Sequence, residues 1–216
     1  MAAKLIAIYN WKGGQGKSTL TILLGSWAGL KNLKVAVVDG DDGRTVSDWV
    51  KGRESNGKLV PFEIALISEL DFSQRTINGK SDYDWIFVDF PAAFNPKIET
   101  ALSYCDGLII PIKIGKPELD RFKRLIEKEI IQKIPKIFII NQSLWFEKNW
   151  LNPIWREFQT LIRKFNCPIL EIKYRSDYGK LMDGRLFWDN RQPRIYSGDL
   201  WGELRALFLA VGLPGD

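Results

Sequence analysis

The sequence predicts an α/β fold, a mostly parallel twisted sheet with helices on both faces, and three observations predict it. Short β-branched apolar runs alternate with longer amphipathic segments. The runs are apolar at consecutive positions, as strands buried on both faces must be. The first run passes directly into a glycine-rich turn and then a helical pattern. In chain order, Leu5 to Tyr9 opens as a strand and Lys17 to Leu30 follows as a helix. Val35 to Val38 is a strand, Thr45 to Arg53 a helix, and the less apolar run Phe62 to Leu66 a further strand. Glu69 to Asn78 reads as a helix before the strand Ile86 to Val88. Pro96 to Tyr104 and Pro153 to Phe165 are helices that begin with proline, whose fixed φ suits a first helical position. Between these two lie the strand Leu108 to Ile112, one helix over Glu118 to Gln132, and the strand Ile137 to Ile140. Ile169 to Ile172 is a last strand, and Leu200 to Val211 a closing amphipathic helix with Leu200, Leu204, Leu207 and Val211 on one stripe.

At 216 residues the chain suits one domain, and no repeat, low-complexity stretch or linker divides it. Hydrophobic residues at 45% and charged residues at 26% exclude global disorder. There is no histidine, and two cysteines stand 62 positions apart, so a tetrahedral zinc site and any histidine-based triad are excluded. Chemistry must come from carboxylates, lysines, backbone amides or a bound metal. No window of 18 apolar residues and no signal-peptide pattern occurs, which makes the cytoplasm the expected compartment and both thiols reduced. The net charge is +5, and the excess is uneven: residues 1–108 hold 12 basic and 13 acidic residues, residues 109–216 hold 19 and 13. An anionic partner for the second half, or a solvated basic face, accounts for that asymmetry.

In a parallel sheet, ligands bind beyond the carboxyl ends of the strands. There the first strand runs into Asn10-Trp11-Lys12-Gly13-Gly14-Gln15-Gly16-Lys17-Ser18-Thr19. Gly13, Gly14 and Gly16 free the backbone to turn its amides toward phosphate oxygens at the amino end of a helix. Lys17 would neutralise the β and γ phosphates, and the Ser18 hydroxyl would coordinate magnesium. The usual GxxxxGK[ST] spacing would put its first glycine at position 11, which is Trp11 here. Trp11 could pack under the loop or contact a second copy of the chain.

Lys12 to Thr19 resembles the deviant Walker A motif KGGxGK[ST] of the ParA/MinD P-loop ATPases, and the likeness to short, single-domain plasmid partition members extends over most of the chain. The resemblance implies a P-loop NTPase fold of the deviant Walker A type, ATP and Mg2+ as cofactors, and an ATP-driven sandwich homodimer. In it Lys12 would reach the phosphates of the partner's ATP, stabilising charge as an arginine finger does. Gly13, Gly14, Gln15, Gly16, Lys17, Ser18 and Thr19 would hold the nucleotide.

Carboxylates at the ends of parallel strands beside such a loop lie where magnesium and an attacking water must be held. Asp39 and Asp41 match the two aspartates of the family's switch I, DxDPQ, which implies a place near the magnesium shell for Asp39 and orientation of the water for Asp41. Asp42-Gly43 replaces Pro-Gln, and Asp42 alternatively caps the next helix. Asp89-Phe90-Pro91-Ala92 resembles the family's DxPP, with Asp89 ending a Walker B strand and holding magnesium through a water. Asp120 falls where the family has an interface aspartate, or simply supplies helix amino-terminal charge. In the family an asparagine at the end of this strand reads the adenine edge, which the resemblance implies for Asn141; alternatively Asn141 acts as a turn former.

The basic half carries no base-reading motif, so DNA binding there would be non-specific, with Arg175, Lys180, Arg185 and Arg194 as the residues to test. The nine tryptophans are expected mainly in the core, and the closing helix against the core rather than on a membrane. Together these expectations describe an ATPase for DNA segregation with a small centromere-binding partner of the ParB type, associated with the nucleoid. The alternative is a MinD-like membrane-cycling or cargo-positioning ATPase.

Overall fold

The computed structural model describes residues 3–66, 83–143, 152–173, 177–186 and 198–215. The expected helix from Glu69 to Asn78 lies outside them. Seven strands, β1 (Lys4–Ile8), β2 (Val35–Asp39), β3 (Glu63–Leu66), β4 (Trp85–Asp89), β5 (Gly107–Ile112), β6 (Lys136–Ser143) and β7 (Ile169–Lys173), form one sheet in the order β3-β2-β4-β1-β5-β6-β7. Every pairing is parallel. The described helices are α1 (Lys17–Leu30), α2 (Thr45–Ser55), α3 (Pro96–Ser103), α4 (Lys116–Ile126), α5 (Glu129–Lys133), α6 (Pro153–Ile162), α7 (Asp177–Met182) and α8 (Gly198–Val211).

Strand side chains alternate between two cores, which explains why the central strands read as continuous apolar runs. Ile6, Ile8, Val35, Val37 and Phe87 face one core with residues of α1, α2, α7 and α8. Leu5, Ala7, Val38, Val88 and Ile110 face the other, with residues of α3, α4, α5 and α6. Each such valine, leucine, isoleucine or phenylalanine side chain, when fully buried, contributes about 1.5–3 kcal/mol relative to exposure. α1 is apolar nearly all round and is buried from Leu20 to Ala28. It lies so close to the following chain that a Cβ on Gly29 would fall 1.5 Å from the Pro61 carbonyl oxygen.

The expected helix over Glu118 to Gln132 is two helices. Lys128 is extended (φ −70°, ψ 128°), and the break is stabilised by the Gln132 Nε2 bond to the Ile126 carbonyl at 3.1 Å. α7 had no counterpart among the expected elements. In α8, Leu200, Leu204, Leu207 and Phe208 are buried, as a core-packed helix requires, although Trp201 and Leu209 stay exposed. No described helix is long and apolar enough to cross a membrane. Trp27, Trp49 and Trp85 are buried in the core.

The register sets the site. Asp39 on β2 pairs with Asp89 on β4, and Ile8 on β1 pairs with the same Asp89. Both carboxylates therefore stand at one level, beside the loop that leaves the sheet's central strand.

Candidate functional site

The loop between β1 and α1 is shaped by its glycines and held by polar side chains from strands distant in sequence. Gly14 and Gly16 have φ of 72° and 91°, the left-handed region that glycine enters without strain. Gly16 is also the cap of α1, and as a glycine it has no side chain to occupy the first-turn amides. Those amides point where an anion can accept from them. Beside Gly13 and Gly14 an added Cβ would meet nothing within 4 Å, so the loop is open on that side. On the other side it is anchored. Asn10 Nδ2 donates to the Pro111 carbonyl at 2.9 Å, and Asn10 Oδ1 accepts from the Lys12 amide at 3.0 Å. Gln15 Oε1 accepts from the Lys113 amide at 2.8 Å, and the Gln15 carbonyl accepts from Asn141 Nδ2 at 2.6 Å. A Cβ on Gly16 would stand 2.2 Å from that same Asn141 nitrogen.

These contacts place two expected nucleotide-binding side chains against the loop itself. Gln15 and Asn141 are both buried, and Asn141 lies inside β6 rather than at its end. Whatever Asn141 does toward a base, its amide nitrogen positions the loop. Thr19 turns its hydroxyl toward Met182 of α7, 3.4 Å away.

Lys17, Ser18, Asp39, Asp41 and Asp89 come together at the strand ends. Asp89 is completely buried, and neither carboxylate oxygen has a partner in hydrogen-bond geometry. Burial raises its pKa from 3.8 to about 7; the nearby Ser18 hydroxyl and Lys17 ammonium pull it down, while Asp39 and Asp41 push it up. Burial lowers the Lys17 pKa in turn, opposed by Asp89 and Asp41. Asp39 is divided in its bonding. Its Oδ2 accepts from the Ser47 amide at 2.8 Å and hydroxyl at 2.6 Å, which holds the first turn of α2, and its Oδ1 is buried without a partner. The capping suggested for Asp42 is thus supplied by Asp39, and Asp42 is exposed. Asp41 is half-buried and accepts from the Gly43 amide at 3.1 Å.

Three buried carboxylate oxygens without donors, next to a hydroxyl and an ammonium, fit a divalent cation together with phosphate. Among the described residues no group of three or more acidic or cysteine side chains could hold a metal by itself. That suits magnesium, which keeps several waters and takes few protein ligands.

Lys12, half-buried at the mouth of the loop, forms an ion pair with Glu118 in the first turn of α4. Burial would raise the Glu118 pKa, but its bond from Lys12, its own backbone amide and the charges of Lys12 and Lys113 hold it below the usual value. Asp120, the acid expected near an interface, pairs instead with Lys116 at 3.3 Å on the exposed helix surface. Trp11 packs edge-on against Phe94 at 5.6 Å, with the Lys128 ammonium over both rings, so it binds the loop to the segment after Asp89. Tyr9 reaches that segment too: its buried hydroxyl donates to the Ala93 carbonyl at 2.7 Å, and burial raises its pKa.

Of the four basic residues singled out for DNA, Arg175 and Arg194 lie outside the described residues. Lys180 and Arg185 are exposed on α7 and just after it. α7 is tied to α2 through Trp49 Nε1, which donates to the Leu181 carbonyl at 2.7 Å, and Arg53 Nη1, which donates to the Gly184 carbonyl at 3.0 Å.

Sequence reasoning missed Glu118, Asn10 and Ser47. For Glu118 a local signal existed, a glutamate early in the first turn of a helix entered through Gly115. Asn10 carried part of one, since its bond from the Lys12 amide two residues on is a local turn, whereas its bond to Pro111 depends on strand register; Ser47 stands in the first turn of a helix with nothing local to single it out.

Residues 6–179 match the family model described as the CobQ/CobB/MinD/ParA nucleotide binding domain. Protein ParA of Rhizobium radiobacter is 28% identical over 113 residues, which cover 50% of this chain and 48% of that protein. The match thus spans about half the length of this relative. Among solved structures, the Cyanothece McdA–ATP complex superposes with a TM-score of 0.76 at 14% identity, covering 99% of this chain and 98% of that one. A plasmid partition protein from Borrelia burgdorferi superposes with a TM-score of 0.60 at 21% identity, covering 85% and 96%.

Proposed function

The chain belongs to the CobQ/CobB/MinD/ParA family of nucleotide-binding domains, and from that premise we propose that it is a magnesium-dependent ATPase of DNA segregation. The observation that carries the nucleotide chemistry is Asp89, buried beside Lys17 and the Ser18 hydroxyl with neither carboxylate oxygen met by a donor in good hydrogen-bond geometry. The amides of Gly13 to Thr19 bind the phosphates, and Lys17 neutralises them. Asp89, the open Oδ1 of Asp39 and the Ser18 hydroxyl would hold magnesium, whose charge offsets that of the phosphates when it is bound. Asp41, half-buried and next to the Lys17 charge, orients the attacking water. Lys12, at the outer edge of the loop, serves the phosphates of a second copy in a sandwich dimer.

The segregation role is supported by the similarity to ParA of Rhizobium radiobacter and by the basic excess of the second half of the chain. The ATP dimer presents that excess twice, binds nucleoid DNA in the cytoplasm without sequence preference, and is released by hydrolysis that a centromere-binding partner stimulates. The test is DNA binding against salt concentration with ATP, ADP and no nucleotide. A steep negative slope seen only with ATP is expected. Equal binding in all three states, or ATP-dependent pelleting with anionic vesicles and no retention on DNA, overturns the segregation role. Lys17→Ala should remove nucleotide binding, and normal binding by that variant overturns the loop assignment.

A further inference from the structure

The segment from the end of β5 to the first turn of α4 touches the phosphate loop at three places. Pro111 bonds to Asn10 and Lys113 to Gln15, and Glu118 holds Lys12. The first two contacts fix backbone. The third restrains the one side chain whose proposed task lies on another molecule. The Lys12 amide is pinned by Asn10, so only its side chain can swing, and in the monomer Glu118 has captured it. We propose that Glu118 is the positioning residue of Lys12, a latch that keeps the ammonium on its own chain until the phosphates bound by a second copy displace the carboxylate. This rests on the sandwich reading above.

The local geometry suits a latch. Glu118 folds back across the amino end of α4 and over Gly115, where a Cβ would stand 2.3 Å from Glu118 Oε2. Gly115 is fully extended (φ 177°), a backbone any residue adopts, so a Cβ there would meet only the movable carboxylate. The side chains of Lys12 and Glu118 are 22% and 18% exposed. Water partly screens such a pair, so it is strong enough to set a resting rotamer and weak enough to yield to a polyphosphate. The neighbouring acid Asp120 is occupied by Lys116 and does not share the task.

Ion pairs of this exposure shift an equilibrium by roughly 1.4-fold to fivefold. A symmetric dimer releases two latches, so removing both should tighten dimerisation about two- to thirtyfold. The experiment is sedimentation equilibrium with a non-hydrolysable ATP analogue and Mg2+, on the wild type and four variants. Glu118→Gln removes the charge. Gly115→Ala keeps the charge and pushes the carboxylate off Lys12, at small cost because the far end of a flexible side chain gives way. Asp120→Asn controls for loss of any nearby acid, and Lys12→Ala tests the sandwich itself. Tighter dimerisation in both Glu118→Gln and Gly115→Ala, but not in Asp120→Asn, is expected. If either of the first two fails to tighten while Lys12→Ala abolishes the dimer, the latch is wrong and the sandwich stands. An equal gain in Asp120→Asn also overturns the latch, since general charge would explain it. Normal dimerisation of Lys12→Ala overturns the sandwich, and the latch falls with it.

Discussion

Replacing Asp89 by asparagine should make the nucleotide-free protein more stable while removing the carboxylate proposed to hold magnesium. The carboxylate is fully buried, lacks hydrogen-bond partners, and has its pKa raised from 3.8 to about 7. In the folded state it therefore keeps its proton to about pH 7, while in the unfolded chain it loses it near pH 4. The stability associated with the protonated group is complete below that lower value and is lost as pH rises through the folded one. A shift of about three pH units corresponds to about 4 kcal/mol once the pH exceeds 7, and to about 2 kcal/mol at pH 5.5. The neutral amide of the variant would carry no such penalty. Urea unfolding without nucleotide or Mg2+, at pH 5.5 and pH 8, should show Asp89→Asn the more stable, with its advantage growing by about 2 kcal/mol between the two. Adding Mg2+ with nucleotide should stabilise the wild type far more than the variant. An advantage that is absent at pH 8, or that does not grow with pH, refutes the reasoning.

Three other substitutions test the scaffold around the loop. Asn141→Ala leaves the Gln15 carbonyl without its donor and opens space beside Gly16, and a fluorescent-nucleotide titration should show about tenfold weaker binding, equivalent to one charge-neutral hydrogen bond. Tyr9→Phe removes the bond to the Ala93 carbonyl; the urea midpoint should fall by an amount corresponding to about 1 kcal/mol, and amide exchange should quicken around Ala93. Gly29→Ala drives a methyl group into the Pro61 carbonyl, and thermal unfolding should report a loss of about 1–3 kcal/mol from overpacking.

Central strands were legible because burial on both faces demands consecutive apolar residues, and β1, β2, β4 and β5 meet that demand over nearly their whole lengths. The phosphate loop was legible because its glycines, Lys17 and Ser18 are contiguous, so no tertiary knowledge is needed to assemble them. Asp89 could be found because it terminates such a strand. The break before α5 was not visible, since the apolar residues Phe122, Ile126 and Ile130 recur every four positions, a helical spacing, across an extended Lys128. Nor could the sequence show that Asp39 serves Ser47, that Asn141 grips the loop from 126 positions away, or that Glu118 and not Asp120 meets Lys12. The last two depend on which strand lies beside which, and the first on how the chain turns between β2 and α2, so local pattern carries no trace of them.

The bonds from α2 to Leu181 in α7 and to Gly184 just after it join the β2–α2 loop to Lys180 and Arg185 in one mechanical linkage. α2 begins just after Asp41 and Gly43 and delivers Trp49 and Arg53 to the backbone of Leu181 and Gly184, beside Lys180 and Arg185. At about 1.5 Å per residue its 11 residues form a rod about 16 Å long. Trp49 and Arg53 stand about 6 and 12 Å along that rod, so a tilt of about ten degrees at its amino end would carry them about 1 and 2 Å. A small movement of the loop after β2 would thus move Lys180 and Arg185 together, with no change in either helix's own structure.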